Sequence, residues 1–259
     1  MKTARRMWAL HGANIILDLG LLVPGQHGSL TVPVPAFLIE HDRGLILFDT
    51  GISPEAWEDP HATYGSLMET LHLETPAENK LDRQLANAGF KPEDVTHVVV
   101  SHSHMDHTGG LFMFPQAQFY MSVEDLRYAY WPDAPYDGFF RTVDLDRTRS
   151  FSWNLVCSDV DLFADGSIQL LRTPGHTPGE LSLLVKLPSR TLVLTGDAVH
   201  LRSSMEAGCP CPIDMDASAA IRSIDRLKHT RTSHQADIWV MHDPVDWQTF
   251  DAGSGKIYT

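Results

Sequence analysis

Apolar residues along this chain fall into short, spaced blocks, and their periodicity predicts strands alternating with a few helices. Residues 31–39 are apolar and β-branched, His41-Asp42-Arg43-Gly44 supplies a turn, and 45–48 are apolar again, which predicts a hairpin. Residues 80–88 place Leu81 and Leu85 four apart with Gly89 as a stop, the spacing of a helix. The nearly continuous apolar run 95–100 is that of a strand buried on both faces. A weaker strand is expected at 117–121, and three more at 168–172, 181–187 and 191–195. Asp216 can cap a helix carrying Ala220, Ile221, Ile224 and Leu227, and 237–241 reads as the last strand.

These elements divide into two rough halves, 1–158 and 159–259, and stacked sheets with helices outside would bury such strands within one domain spanning 1–259. The segment 122–153 departs from the pattern. It carries Tyr128, Tyr130, Trp131, Tyr136, Phe139, Phe140, Phe151 and Trp153 with weak periodicity. Two roles remain open for it: a wall over an apolar ligand, or packing, either in the core or between two copies in a homodimer.

Composition narrows the partners. With 43% hydrophobic and 20% charged residues the chain reads as an ordinary globular protein, and a formal net charge of −13 disfavours nucleic acid. The sole basic run is Arg5-Arg6, so the charge leans toward a small neutral or cationic substrate. Cys157, Cys209 and Cys211 form no disulfide framework, and Cys209 and Cys211 stand too close for an ordinary structural bridge. The N-terminus begins basic and turns apolar as a signal peptide does, but His11, Asn14 and Asp18 interrupt the run. No apolar stretch approaches a membrane span, and the expected location is the cytoplasm, away from membrane.

The chemistry concentrates after the buried strand, in Ser101-His102-Ser103-His104-Met105-Asp106-His107-Thr108-Gly109-Gly110. In extended backbone residues two apart face the same way, so His102 and His104 can point together, with Asp106 and His107 where the chain turns toward a helix. Four potential ligands within six residues fit a metal site, which needs imidazoles and carboxylates converging on bonds of about 2 Å. Three later positions meet the same demand: His176 in a Pro/Gly turn, Asp197 at a strand end, and His242 at another strand end.

In this order the residues resemble the metallo-β-lactamase superfamily, whose pattern is H-x-H-x-D-H followed by a distant His, Asp and His. Asp49 in Phe48-Asp49-Thr50-Gly51 matches that family's early Asp-Thr-Gly element. The resemblance implies an α+β four-layer αββα sandwich with two metal ions at one edge between the sheets. It implies His102, His104 and His176 around one ion, Asp106, His107 and His242 around the other, Asp197 bridging, and Asp49 orienting a ligand. Zinc suits this donor set first, with iron, cobalt and manganese as alternatives.

Within the superfamily the chain looks most like the N-acyl-homoserine lactonases. That implies opening of a neutral lactone ring by a hydroxide between the ions, with Asp106 protonating the leaving group. Pyridoxolactone hydrolases, thioesterases of the glyoxalase II type and phosphoesterases are the other hydrolases to distinguish, and a non-catalytic binding member is the alternative outside enzymes. Lactonases of this group often carry Tyr three residues after the bridging Asp. Here His200 stands there, able to donate to an oxyanion or act as a general acid. Tyr128, Tyr130, Trp131, Phe139 and Phe140 are the expected substrate contacts.

Overall fold

The computed structural model describes residues 2–253 and 255–259. Seven strands form the first sheet: β1 (Arg6–Asp18), β2 (Ser29–His41), β3 (Gly44–Phe48), β4 (His72–Glu74), β5 (His97–Val99), β6 (Gln118–Ser122) and β7 (Ser152–Val156), in the order β4-β1-β2-β3-β5-β6-β7. The second holds β8 (Val160–Asp161), β9 (Ile168–Arg172), β10 (Leu181–Lys186), β11 (Thr191–Leu194) and β12 (Ala236–Trp239), in the order β12-β11-β10-β9-β8.

Alternation of side chains explains the layers. On β2, β3 and β5, Phe37, Ile39, Ile46, Phe48 and Val99 point inward and meet Leu170, Leu181, Leu183, Leu192, Leu194 and Trp239 of the second sheet. The opposite faces are also apolar. Leu38, Leu47 and Val98 pack under the helix Leu81–Asn87 and neighbouring turns, and Leu184, Val193 and Ile238 pack under the helix Ala217–His234. Two sheets face to face with helices outside each make the αββα sandwich. The expected run 95–100 is indeed a strand with both faces buried, pairing in parallel with β3 and β6. Asp216 caps its helix by accepting the Ala219 N–H at 2.9 Å. On that helix Ala220, Ile224 and Leu227 are buried, while Ile221 is 41% exposed.

The strand β1 is the longest of four that the apolar pattern did not announce, the others being β4, β7 and β8. It pairs with β2 from Arg6 to Asp18, with an irregularity between His11 and Asn14. The polar residues that broke up the apolar run sit at this irregularity and at the strand's exposed end, His11 bonding Asn14 at 3.2 Å. Among the described residues no helix is long and apolar enough to cross a membrane.

Close approach of two loops sets the site's frame. The Gly109 N–H donates to Gly51 O at 2.9 Å, and a Cβ on Gly109 would lie 1.9 Å from Ser53 N. Backbone cannot yield as a flexible side chain does, so Gly109→Ala is expected to cost about 3 kcal/mol, the upper end for overpacking. In a chain of this size that is a fall in Tm of roughly 6–12 °C, read by thermal melting.

Candidate metal centre

Strand ends deliver the side chains. His102 and His104 follow β5, with His104 still extended (φ −68°, ψ 157°) as the residue preceding the one-turn helix Met105–Thr108 that carries Asp106 and His107. His176 lies beyond β9, Asp197 beyond β11 and His242 beyond β12, all at the same edge between the sheets. His102, His104, His107, His176 and His242 are buried, as is Asp197, and Asp106 is half-buried.

Asp197 stands between two groups. Its Oδ1 lies 3.0 Å from His242 Nε2 and 3.5 Å from His107 Nε2. Its Oδ2 lies 3.5 Å from His176 Nε2 and 3.8 Å from His102 Nε2. On one side His104 Nδ1 and His176 Nε2 are 3.0 Å apart, and on the other His107 Nε2 and His242 Nε2 are 3.3 Å apart. Asp106 Oδ2 joins the second group, 3.6 Å from His107 Nε2 and 3.8 Å from His242 Nε2.

Two observations test whether these groups fit metal ions. Nitrogens bound tetrahedrally at 2.0–2.1 Å stand about 3.3 Å apart, close to the pairs measured here. His102 Nε2 and Asp197 Oδ1 are buried at the centre yet make no hydrogen bond among the described residues. Buried polar atoms are almost always satisfied, so atoms left open in a converging set are suited to a cation. His102–His104–His176 and Asp106–His107–His242 are accordingly groups able to hold a metal.

The far ring nitrogens of four of the five histidines face oxygen atoms. His107 Nδ1 meets Asp49 Oδ2 at 2.9 Å, His176 Nδ1 meets Asp214 Oδ1 at 3.2 Å, His242 Nδ1 meets Pro33 O at 2.7 Å, and His102 Nδ1 lies 3.2 Å from Glu180 Oε2. Such contacts place the proton on the outer nitrogen and turn the lone pair inward. Asp49 also accepts from Ser101 N–H at 2.7 Å and Ser101 Oγ–H at 2.8 Å, and does so at φ +62°, a left-handed backbone that a non-glycine residue adopts at a cost. Asp125, fully buried, accepts from Ser103 N–H at 2.8 Å and from the hydroxyls of Ser103 and Thr177, tying the His102–His104 loop to the His176 turn. Glu180, Asp214, Asp125 and Ser101 escaped sequence reasoning. Only Glu180 left a signal, a lone carboxylate opening the apolar run of β10.

Electrostatics follow the packing. Burial, with neighbouring imidazoles adding to it, pushes His102 and His104 well below the ordinary histidine range, leaving neutral rings with free lone pairs. Burial would raise Asp197, but His242, His107, His200 and His102 overcome it and hold the carboxyl well below its usual range. Burial and the Asp197 charge push Glu180 well above the usual carboxyl range.

His200 is inside this centre. It is 6% exposed, its Nε2 lies 3.1 Å from Asp197 Oδ2, and its ring is 4.7 Å from that of His176. The adjoining cleft, of about 60 Å³, is walled by Leu17 of β1, Leu21, Val32, Leu71, Met105 and Phe139. Phe140 stands edge-on to His104 at 4.7 Å, and Tyr128 packs one layer behind it. Of the five expected contacts only Phe139 lines the cleft, and two lie well away from it. Tyr130 turns away to Asp146 at 2.8 Å and Trp131 is 88% exposed, because the segment breaks into short helices that present opposite faces. A larger pocket of about 310 Å³ lies behind the Thr50-Gly51 and Gly110 backbone, lined by none of the converging histidines.

Fold and donor set together define a metallo-β-lactamase-type protein, and residues 30–233 match the family model of the metallo-beta-lactamase superfamily. The chain belongs to that superfamily. Among its relatives, the N-acyl homoserine lactonase AttM of Rhizobium radiobacter is 32% identical over 87% of this chain and 88% of its own. A mutant of Bacillus thuringiensis AiiA, solved with N-decanoyl-L-homoserine at its active site, superposes with a TM-score of 0.85 at 22% identity, covering 96% of this chain and 97% of that one. AidC, a dizinc quorum-quenching lactonase solved with a product, N-hexanoyl-L-homoserine, gives a TM-score of 0.73 at 18% identity, covering 94% and 90%.

Proposed function

We propose that this chain is a dinuclear-metal hydrolase that opens the lactone ring of N-acyl-homoserine lactones. The observation that carries the reading is the division of Asp197, one carboxylate oxygen toward each of two histidine-rich groups. On this reading His102, His104 and His176 hold one ion, Asp106, His107 and His242 the other, Asp197 joins them, and zinc is the metal that suits the donors. Resemblance to AttM over most of both chains supports the choice of substrate. When bound, two such ions bring the pKa of a water toward neutrality and polarise a carbonyl oxygen.

The chain's own residues do the rest. His200 Nε2, at the cleft beside Asp197, donates its N–H to the carbonyl oxygen as negative charge builds there. Water adds to the carbonyl carbon and gives up a proton to Asp106, the ring C–O bond breaks, and Asp106 passes that proton to the departing alkoxide. Leu17, Leu21, Val32, Leu71 and Phe139 take up the acyl chain, each buried CH₂ contributing about 0.8 kcal/mol. The product is an acyl-homoserine carrying a new carboxylate, so each turnover releases acid.

A pH-indicator assay on short- and long-chain acyl-homoserine lactones tests this. Zinc-loaded protein is expected to release acid, chelator-treated protein to release none, and added zinc to restore the rate. Loaded protein that leaves every acyl-homoserine lactone intact, or that cleaves only thioesters or phosphodiesters in a parallel panel, would sink the assignment.

A further inference from the structure

Glu180 is a fully buried carboxylate to which the mechanism above gives no task. Its Oε1 accepts the Asp197 N–H at 2.9 Å, and its Oε2 faces His102 Nδ1 at 3.2 Å. Space has been left for it: Gly196 has φ +58°, and a Cβ there would lie 2.2 Å from Oε1. Its main chain is held too, since Glu180 O accepts from Thr173 N–H and the next residue, Leu181, donates to Ser101 O, both at 2.9 Å. One side chain thus touches a histidine of the first group and the main chain of the residue that joins both groups.

We propose that Glu180 is a positioning residue for one ion only. It stands as the outer acceptor beside His102 Nδ1, turning the Nε2 lone pair inward toward the ion at His102, His104 and His176. This rests on the two-ion reading. A carboxylate with so few donors is costly to bury unless a cation stands nearby. Ser101 Oγ also lies 3.0 Å from His102 Nδ1, but it is shared with Asp49 Oδ2 at 2.8 Å and His107 Nδ1 at 3.2 Å. His107 and His242, in the other group, have their own outer partners, Asp49 and Pro33 O. The effect of losing the Glu180–His102 contact alone is therefore confined to one ion.

Glu180→Gln separates this role from a structural one. The amide oxygen can still accept the Asp197 N–H, while the NH₂ would face His102 Nδ1 and favour the tautomer whose inward nitrogen carries the proton. Metal-free wild type and variant are titrated with zinc against a chromophoric chelator, and melted with and without metal. Wild type is expected to take up two ions. In the variant one site weakens by about 10–100-fold, the range for lost outer partners, and the other keeps its affinity. The metal-free Tm is not lowered, since the amide keeps the size of the carboxyl and still accepts the Asp197 N–H. Unchanged affinity at both sites, equal weakening of both, or an equal loss of Tm with and without metal would overturn the proposal. Wild type binding fewer than two ions would overturn the two-ion reading and this inference with it. If Glu180→Gln does not fold, Glu180→Asp keeps the charge but loses reach, and affinity at wild-type level in that variant overturns the proposal equally.

Discussion

Replacing Asp197 by asparagine is expected to reduce bound metal from two ions to one or fewer. The rate constant kcat/KM on an acyl-homoserine lactone should fall by about 10³-fold or more, some 4 kcal/mol of transition-state stabilisation. The geometry says why so small a change matters. Asp197 meets His242 and His107 through Oδ1 and His176, His102 and His200 through Oδ2, at 3.0 to 3.8 Å. Asparagine has one accepting oxygen and one donating NH₂, so one group would lose its acceptor and meet a donor aimed at imidazole lone pairs. The single negative charge between two cation-binding groups also disappears, in a site too dry for water to replace it. Size and shape are preserved, so circular dichroism should match the wild type and separate this outcome from misfolding. Metal analysis and steady-state rates then decide: wild-type metal content together with wild-type turnover would mean that another group bridges the two halves.

Eight of the twelve strands and most of this centre were legible in the sequence, for related physical reasons. Ligands that end strands are announced twice, once by their own chemistry and once by the apolar run before them, and His102, Asp197 and His242 are all of this kind. Asp49 was legible through resemblance, and the structure adds what it does, holding Ser101 and His107 from a strained backbone. What escaped was whatever depends on distant partners. Strand β1 reads as an interrupted apolar run because its irregularity at His11 and its exposed end at Asp18 carry polar residues, yet its Leu17 helps wall the cleft. The aromatic segment 122–153 offered the opposite lesson. Its residues were bulky enough to suggest a ligand wall, but only Phe139 and Phe140 reach the histidines, while Phe151 and Trp153 pack against Phe119. Asp214 and Asp125 had no local signature, since a carboxylate in a loop looks the same whether it meets water or a buried histidine.

A different signature is expected at His200, and it separates catalysis from metal binding. His200→Phe keeps a buried ring beside His176 and removes the N–H at Nε2. If that N–H meets the developing oxyanion, kcat should fall by about 10²-fold, the lower end of the loss seen on removing one such donor. KM should change little, because the contact strengthens only as charge develops, and both ions should remain bound. Asp197→Asn, by contrast, loses metal and rate together. His200→Gln places an amide donor near the position of the imidazole Nε2 and is expected to recover part of the lost rate, which packing alone would not predict. The geometry supports an oriented ring: His200 Nε2 faces Asp197 Oδ2 at 3.1 Å, at the wall of the cleft. Metal content at wild-type level with an undiminished kcat in His200→Phe would instead make His200 a packing residue, and the oxyanion would then be stabilised by the metal ions alone.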